Sequence, residues 1–139
     1  MKIFFDVNVV LDLAIRKEQD QQLFDPILQS IQDGKIRAFL TAGVIQTSCY
    51  FFLKYLKYQK TKEVISYLLP YFQFLGGERI HVKEALEMGV EDIEDAVFYQ
   101  IALDYEMDGI VTNDKEFLKL SKPHLPILTP IQLLERLQK

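Results

Sequence analysis

The chain has 139 residues, 49% apolar and 26% charged, with a formal net charge of −4. That is enough apolar material for one domain, residues 1–139, with its own core, and it excludes a disordered chain. No apolar run is long enough to span a bilayer, and one cysteine with two histidines excludes a disulfide framework and a structural zinc site.

Lys2–Asp6 is short and apolar until its last residue, which predicts a buried strand ending in a carboxylate. Helical patterns follow over Val9–Arg16 and from Asp20 to Asp33, with Pro26 inside the second and Gly34 stopping it. Ile36–Leu40 reads as a strand, and Thr41 as the N-cap of a helix reaching Tyr58. Lys60–Phe74 reads as a helix bent near Pro70. Gly76-Gly77 makes a turn, Arg79–Val82 reads as extended, and Lys83–Met88 as a short helix ended by Gly89. Asp92–Tyr105 is the next helix, Gly109–Thr112 a strand, Asp114–Leu120 a helical turn and Pro126–Leu128 another extended piece. Thr129-Pro130 is a strong helix start for Ile131–Lys139. Short apolar strands alternating with amphipathic helices predict an α/β domain with a mostly parallel sheet flanked by helices.

Charge is unevenly placed. Gly34 to Lys62 contains no Asp or Glu but carries Lys35, Arg37, Lys54, Lys57, Lys60 and Lys62, while much of the acid lies around residues 84–116. The net charge argues against simple electrostatic binding of nucleic acid. The segregation fits a metal–carboxylate centre beside a basic strip, although lysines three apart also describe an ordinary solvated helix face. Met1-Lys2-Ile3 runs directly into a strand without signal-peptide architecture, so a cytoplasmic protein is expected.

Three separated segments each deliver carboxylates next to predicted strand or helix ends: Asp6, the cluster Glu91–Asp95, and Asp114 with Glu116. Asp95 falls at the edge of the face formed by Val97, Phe98, Ile101, Ala102 and Tyr105. Glu94 falls in line with the apolar stripe, and Glu91 and Asp92 point elsewhere. Acids in a first helical turn also cap N–H groups and complement the dipole, but that does not require one to face the core. Asp6, Asp95 and Asp114 gathered at one sheet edge would repel unless a cation joined them. Hard ions such as Mg²⁺ or Mn²⁺ take such oxygen ligands, and they serve phosphodiester hydrolysis by activating water and neutralising developing charge. Asn8, Thr112 and Asn113 would orient the acids or their water.

These segments resemble a known family. Asp6-Val-Asn8-Val-Val-Leu, Glu94-Asp95-Ala96 before an apolar helix, and Val111-Thr-Asn-Asp-Lys-Glu-Phe117 look like the three acidic motifs of PIN-domain ribonucleases, in particular the VapC-type toxins of prokaryotic toxin–antitoxin pairs. Leu128-Thr-Pro-Ile-Gln-Leu-Leu134 resembles the family's last strand and helix, so the likeness covers essentially the whole chain. It implies a three-layer α/β/α sandwich, Mg²⁺- or Mn²⁺-dependent endonucleolytic cleavage of RNA, a small inhibitory antitoxin and frequent homodimerisation. It implies Asp6, Asp95 and Asp114 as catalytic metal ligands, with Glu116 as a neighbouring acid. One departure stands out: the glutamate expected early in the helix after the second strand falls at Thr47, which brings a hydroxyl and no charge.

Two readings follow. In the first the chain is a cytoplasmic ribonuclease, with Lys54, Lys57, Lys60 and Lys62 holding the RNA backbone. In the second, the loss at Thr47 leaves a catalytically weakened RNA- or protein-binding module. A haloacid-dehalogenase-like phosphatase is disfavoured because Asn8 cannot act as a general acid, and a phospho-receiver needs an acidic pair where only Asp6 stands. His81, on an expected extended piece, and His124, in a loop, lack partners at ligand spacing and read as packing or surface residues. Cys49 reads as a small core residue. The run Tyr50, Phe51, Phe52, Tyr55 and Tyr58 reads as core or a dimer seam rather than a base-stacking platform.

Overall fold

A computed structural model describes residues 1–15 and 20–139. Five strands form one all-parallel sheet: β1 (Lys2–Phe5), β2 (Arg37–Thr41), β3 (Phe72–Leu75), β4 (Gly109–Val111) and β5 (Ile127–Leu128), in the order β3-β2-β1-β4-β5. The helices are α1 (Val7–Ile15), α2 (Gln21–Gln32), α3 (Ala42–Tyr55), α4 (Tyr58–Leu68), α5 (Arg79–Glu87), α6 (Ile93–Asp104), α7 (Lys115–Leu118) and α8 (Pro130–Leu137). They flank the sheet as expected of the α/β/α sandwich. α1 packs on α3, α3 on α4, α2 on α8 and α5 on α6. The predicted end of the first helix at Arg16 lies outside the described residues. Among the described residues, no helix is long and apolar enough to cross a membrane.

β1 is the centre of the sheet because, past Lys2 at its start, it has nothing polar to solvate. Ile3, Phe4 and Phe5 are each 1% exposed or less, and each such side chain contributes about 1.5–3 kcal/mol by leaving water. Continuous apolarity is what a strand covered on both faces requires. The order of strands reverses at β1, with β2 on one side and β4 on the other, so the chain's crossovers diverge there. Open parallel sheets leave a crevice at the carboxyl ends of such a pair.

Three segments differ from the sequence reading. The expected helix over Lys60–Phe74 ends at Leu68, passes through a single tight turn at Leu69–Tyr71 and becomes edge strand β3. Pro70 marks the end of that helix rather than a bend in it. The expected extended piece Arg79–Val82 is instead the start of α5. There His81 Nδ1 accepts from the Glu78 N–H at 2.9 Å, fastening the first turn. The helix from Thr41 also stops earlier than expected, at Tyr55, and Leu56-Lys57 separates it from α4.

Candidate metal centre at the sheet edge

The site begins where β1 ends. The Asp6 N–H still belongs to the ladder, donating to Val111 O at 3.1 Å, and its carboxylate emerges at the β1/β4 crevice. Asp6 is 3% exposed. Its Oδ1 accepts from the Val7 N–H at 2.8 Å; its Oδ2 accepts from Thr112 Oγ1 at 2.7 Å and from Asn8 Nδ2 at 3.3 Å. Burial pushes its pKa up to about 6, against the opposing pull of the Thr112 and Val7 bonds, and the charges of Glu94 and Asp114 push the same way as burial.

Asn8, Thr112 and Asn113 tie the first acidic segment to the third. Asn8 Oδ1 accepts from the Asn113 N–H at 3.0 Å, Asn8 Nδ2 reaches Thr112 Oγ1 at 3.3 Å, and Thr112 Oγ1 accepts from the Asp114 N–H at 3.0 Å. Asn113 Nδ2 donates to Asp12 Oδ2 at 2.8 Å. Asp114 thereby becomes the N-cap of α7, its Oδ1 accepting from the Glu116 N–H at 2.9 Å.

The middle segment arrives on the N-terminus of α6. Asp92 is its N-cap, with Oδ1 accepting from the Asp95 N–H at 3.0 Å. Asp95 is 5% exposed, and its buried Oδ2 has no hydrogen-bond partner among the described residues. Carboxylate oxygens of Asp92, Asp95 and Asp114 all lie within 4.8 Å of one another. Burial pushes the Asp95 pKa up to about 8, followed by the charges of Asp6 and Asp92 and by hydrogen bonding with, and the charge of, Asp114. A pocket of about 420 Å³ opens at these acids, bordered also by Glu116, Phe117 and Lys119. A roomier surface hollow of about 590 Å³, at Ile31, Gln32, Ser66, Tyr67, Pro70 and Tyr71, contributes no carboxylate, imidazole or thiol.

Two of the three expected acids are therefore direct neighbours, and the third, Asp6, is linked to Asp114 through Thr112. Asp95 and Asp114 share the cluster directly, and Asp6 faces them electrostatically while its own oxygens are held by hydrogen bonds. Asp92 belongs to the cluster although the helical-wheel reading turned it away. Glu94, expected along the apolar stripe, is exposed and accepts from Thr47 Oγ1 at 3.0 Å. Glu116 is exposed and pairs with Lys119 at 3.0 Å. Lys54, Lys57, Lys60 and Lys62 are exposed on the α3–α4 hairpin, and among the described residues they form no hydrogen bond or ion pair with these acids. An all-oxygen donor set with an orphaned buried carboxylate oxygen suits a hard divalent cation.

A family model described as the PIN domain matches residues 2–116. Among solved structures, the chain is similar to one in the crystal structure of VapBC2 from Rickettsia felis bound to a DNA fragment from their promoter. The TM-score is 0.71 at 13% identity, over 93% of this chain and 98% of that one. It is also similar to PAE2754 from Pyrobaculum aerophilum, with TM-score 0.71 and 19% identity over 99% and 98% of the two chains. At such identities the likeness is one of fold. No curated protein matches the chain.

Proposed function

The chain belongs to the PIN domain family, whose members are generally nucleases, and from that premise we propose that it is a divalent-metal-dependent endoribonuclease acting as the toxin of a toxin–antitoxin pair. The supporting observation is Asp95, a carboxylate buried with an unpartnered oxygen among Asp6, Asp92 and Asp114. A protein gains nothing in stability from such crowding, so a cation is what makes the arrangement tolerable. Asp95 and Asp114, with Asp92 and Asp6 beside them, would hold Mg²⁺ or Mn²⁺. Such an ion supplies Lewis-acid activation of water and neutralises charge developing on a phosphodiester. Thr112, Asn8 and Asn113 keep the acids in place through the bonds given above, and Glu116 at the rim adds a further acid.

RNA is the proposed substrate, with Lys54, Lys57, Lys60 and Lys62 contributing phosphate contacts. The fold shared with a chain of VapBC2 supports a small antitoxin as partner. Tyr50, Tyr55 and Tyr58 are 65%, 75% and 71% exposed on α3 and α4, which supports a homodimer through that hairpin in a cytoplasmic protein. Incubation of fluorescent single-stranded RNA with the protein and Mn²⁺, beside Asp95→Asn, tests the central reading. Cleavage by the wild type alone is the expected result. Thr47, uncharged where a glutamate is usual, favours a second reading as a binding module. Mn²⁺ and RNA binding without cleavage would select it.

A further inference from the structure

We propose that Glu94 supplies the carboxylate that the helix after the second strand lacks, with Thr47 as its positioning residue and a divalent cation as the ligand. The proposal rests on the reading of the sheet edge as a metal centre.

Thr47 lies in α3, at the position where the family resemblance places an acid, and its hydroxyl donates to Glu94 Oε2 at 3.0 Å. A glutamate at position 47 would put its carboxylate oxygens about 2.4 Å beyond its γ carbon, given C–C and C–O bonds of about 1.5 and 1.2 Å. The threonine hydroxyl occupies a γ position, and the Glu94 oxygen stands 3.0 Å from it, a distance comparable with that reach. The acid comes from the opposite helix instead of from α3. Glu94 also directly precedes Asp95, so its backbone is fixed by the same first turn of α6 that fixes the unpartnered Asp95 Oδ2.

A surface acid in a first helical turn has an ordinary explanation in the helix dipole. That explanation does not account for a cross-helix bond to an uncharged hydroxyl. Thr47 orients the carboxylate without neutralising it, and among the described residues Glu94 has no basic partner. Its charge is felt at Asp6, ahead of that of Asp114.

The experiment is calorimetric titration of the full chain with Mn²⁺, alongside melting curves of the metal-free proteins. Glu94→Gln is expected to weaken Mn²⁺ binding roughly tenfold or more, as losses around metal ligands do. Thr47→Val should weaken it severalfold, Thr47→Ser should restore it, and the exchanged pair Thr47→Glu with Glu94→Gln should return to within about threefold of wild type. Wild-type affinity in Glu94→Gln, while Asp95→Asn loses binding, overturns the inference and leaves the metal centre intact. Wild-type affinity in Asp95→Asn overturns the metal centre itself. Thr47→Val equal to wild type removes the positioning role, and failure of the exchanged pair removes the spatial equivalence.

Discussion

The two ends of α6 lie beside two buried polar groups with opposite accounts, His81 of α5 at one end and its own Asp95 at the other. At its C-terminal end Asp104 meets His81, which is 2% exposed and fully used: Nδ1 accepts from the Glu78 N–H, and Nε2 lies 2.9 Å from Asp104 Oδ2. With Nδ1 acting as an acceptor, the ring proton resides on Nε2 and is donated to Asp104. At its N-terminal end Asp95 is buried to a similar degree, yet one oxygen finds no partner among the described residues, Asp92 and Asp114 crowd it, and the charge of Asp6 acts on it. One end of α6 thus anchors a satisfied buried group from α5, and the other carries an unsatisfied one of its own. Buried polar atoms without partners are rare enough in proteins to require a reason, and an absent ligand is one.

Substitution at each end should separate the two accounts. Asp95→Asn is expected to have the largest effect, a loss of RNA cleavage of about 100-fold or more, since it touches the group proposed to hold the ion. The same variant should melt at the same or higher temperature than the metal-free wild type, because it removes a buried charge from a repulsive set. Lower stability with full cleavage would reverse the assignment. His81→Ala should do the opposite. Loss of the buried imidazole and its two hydrogen bonds is expected to cost about 2–3 kcal/mol, measured by urea unfolding, with cleavage per folded molecule unchanged.

The pH dependence of the metal-free protein comes from the N-terminal end of α6. Asp6 and Asp95 are acids whose folded pKa values, about 6 and about 8, lie above the ordinary value of 3.8. Between the ordinary value and the raised one, the folded state binds more protons than the unfolded state. Stability contributed by these groups is therefore fully present below about pH 4 and declines as pH rises, through about 6 for Asp6 and about 8 for Asp95. Melting temperature should fall by several degrees over this window, corresponding to about 1–2 kcal/mol, and the fall should be smaller in Asp95→Asn. Since metal ligands must be deprotonated, Mn²⁺ binding near neutral pH should release protons, seen as a buffer-dependent binding enthalpy. A melting temperature that rises from pH 5 to pH 8 would contradict these shifts.

What was legible in the sequence follows from how local each signal is. β1 and α8 could be read directly. Three apolar residues ending in Asp6 define a covered strand, and Thr129 with Gln132 forms a capping box, Thr129 Oγ1 accepting at 3.2 Å and Gln132 Oε1 at 2.9 Å. β3 was not legible because Phe72–Leu75 is buried only at its two ends and continues the helical spacing of α4. Ile80 and Val82 favour extended backbone, but the bond between Glu78 and His81 overrides that preference. Within the site, Asp92 was missed for a geometric reason. An N-cap residue has extended backbone, here φ −80° and ψ 96°, so a helical wheel does not describe where its side chain goes. Glu94 was assigned to the core side because its partner, Thr47, lies 47 residues away in sequence.

Asp92 provides the smallest and most discriminating test, since it belongs to both accounts. As N-cap it accepts from the Asp95 N–H and stabilises α6; as an acid it stands within the cluster. Serine caps as well as aspartate but carries no charge, so Asp92→Ser should leave stability within about 0.5 kcal/mol of wild type. Asp92→Ala removes both functions and should cost about 1 kcal/mol. If the carboxylate serves only as a cap, Asp92→Ser will bind Mn²⁺ as the wild type does. If it contributes its charge to the centre, both variants will lose Mn²⁺ affinity by a similar, severalfold amount, although only the alanine variant loses stability. Agreement between the two variants in affinity, set against their difference in melting, would assign Asp92 to the cation as well as to the helix.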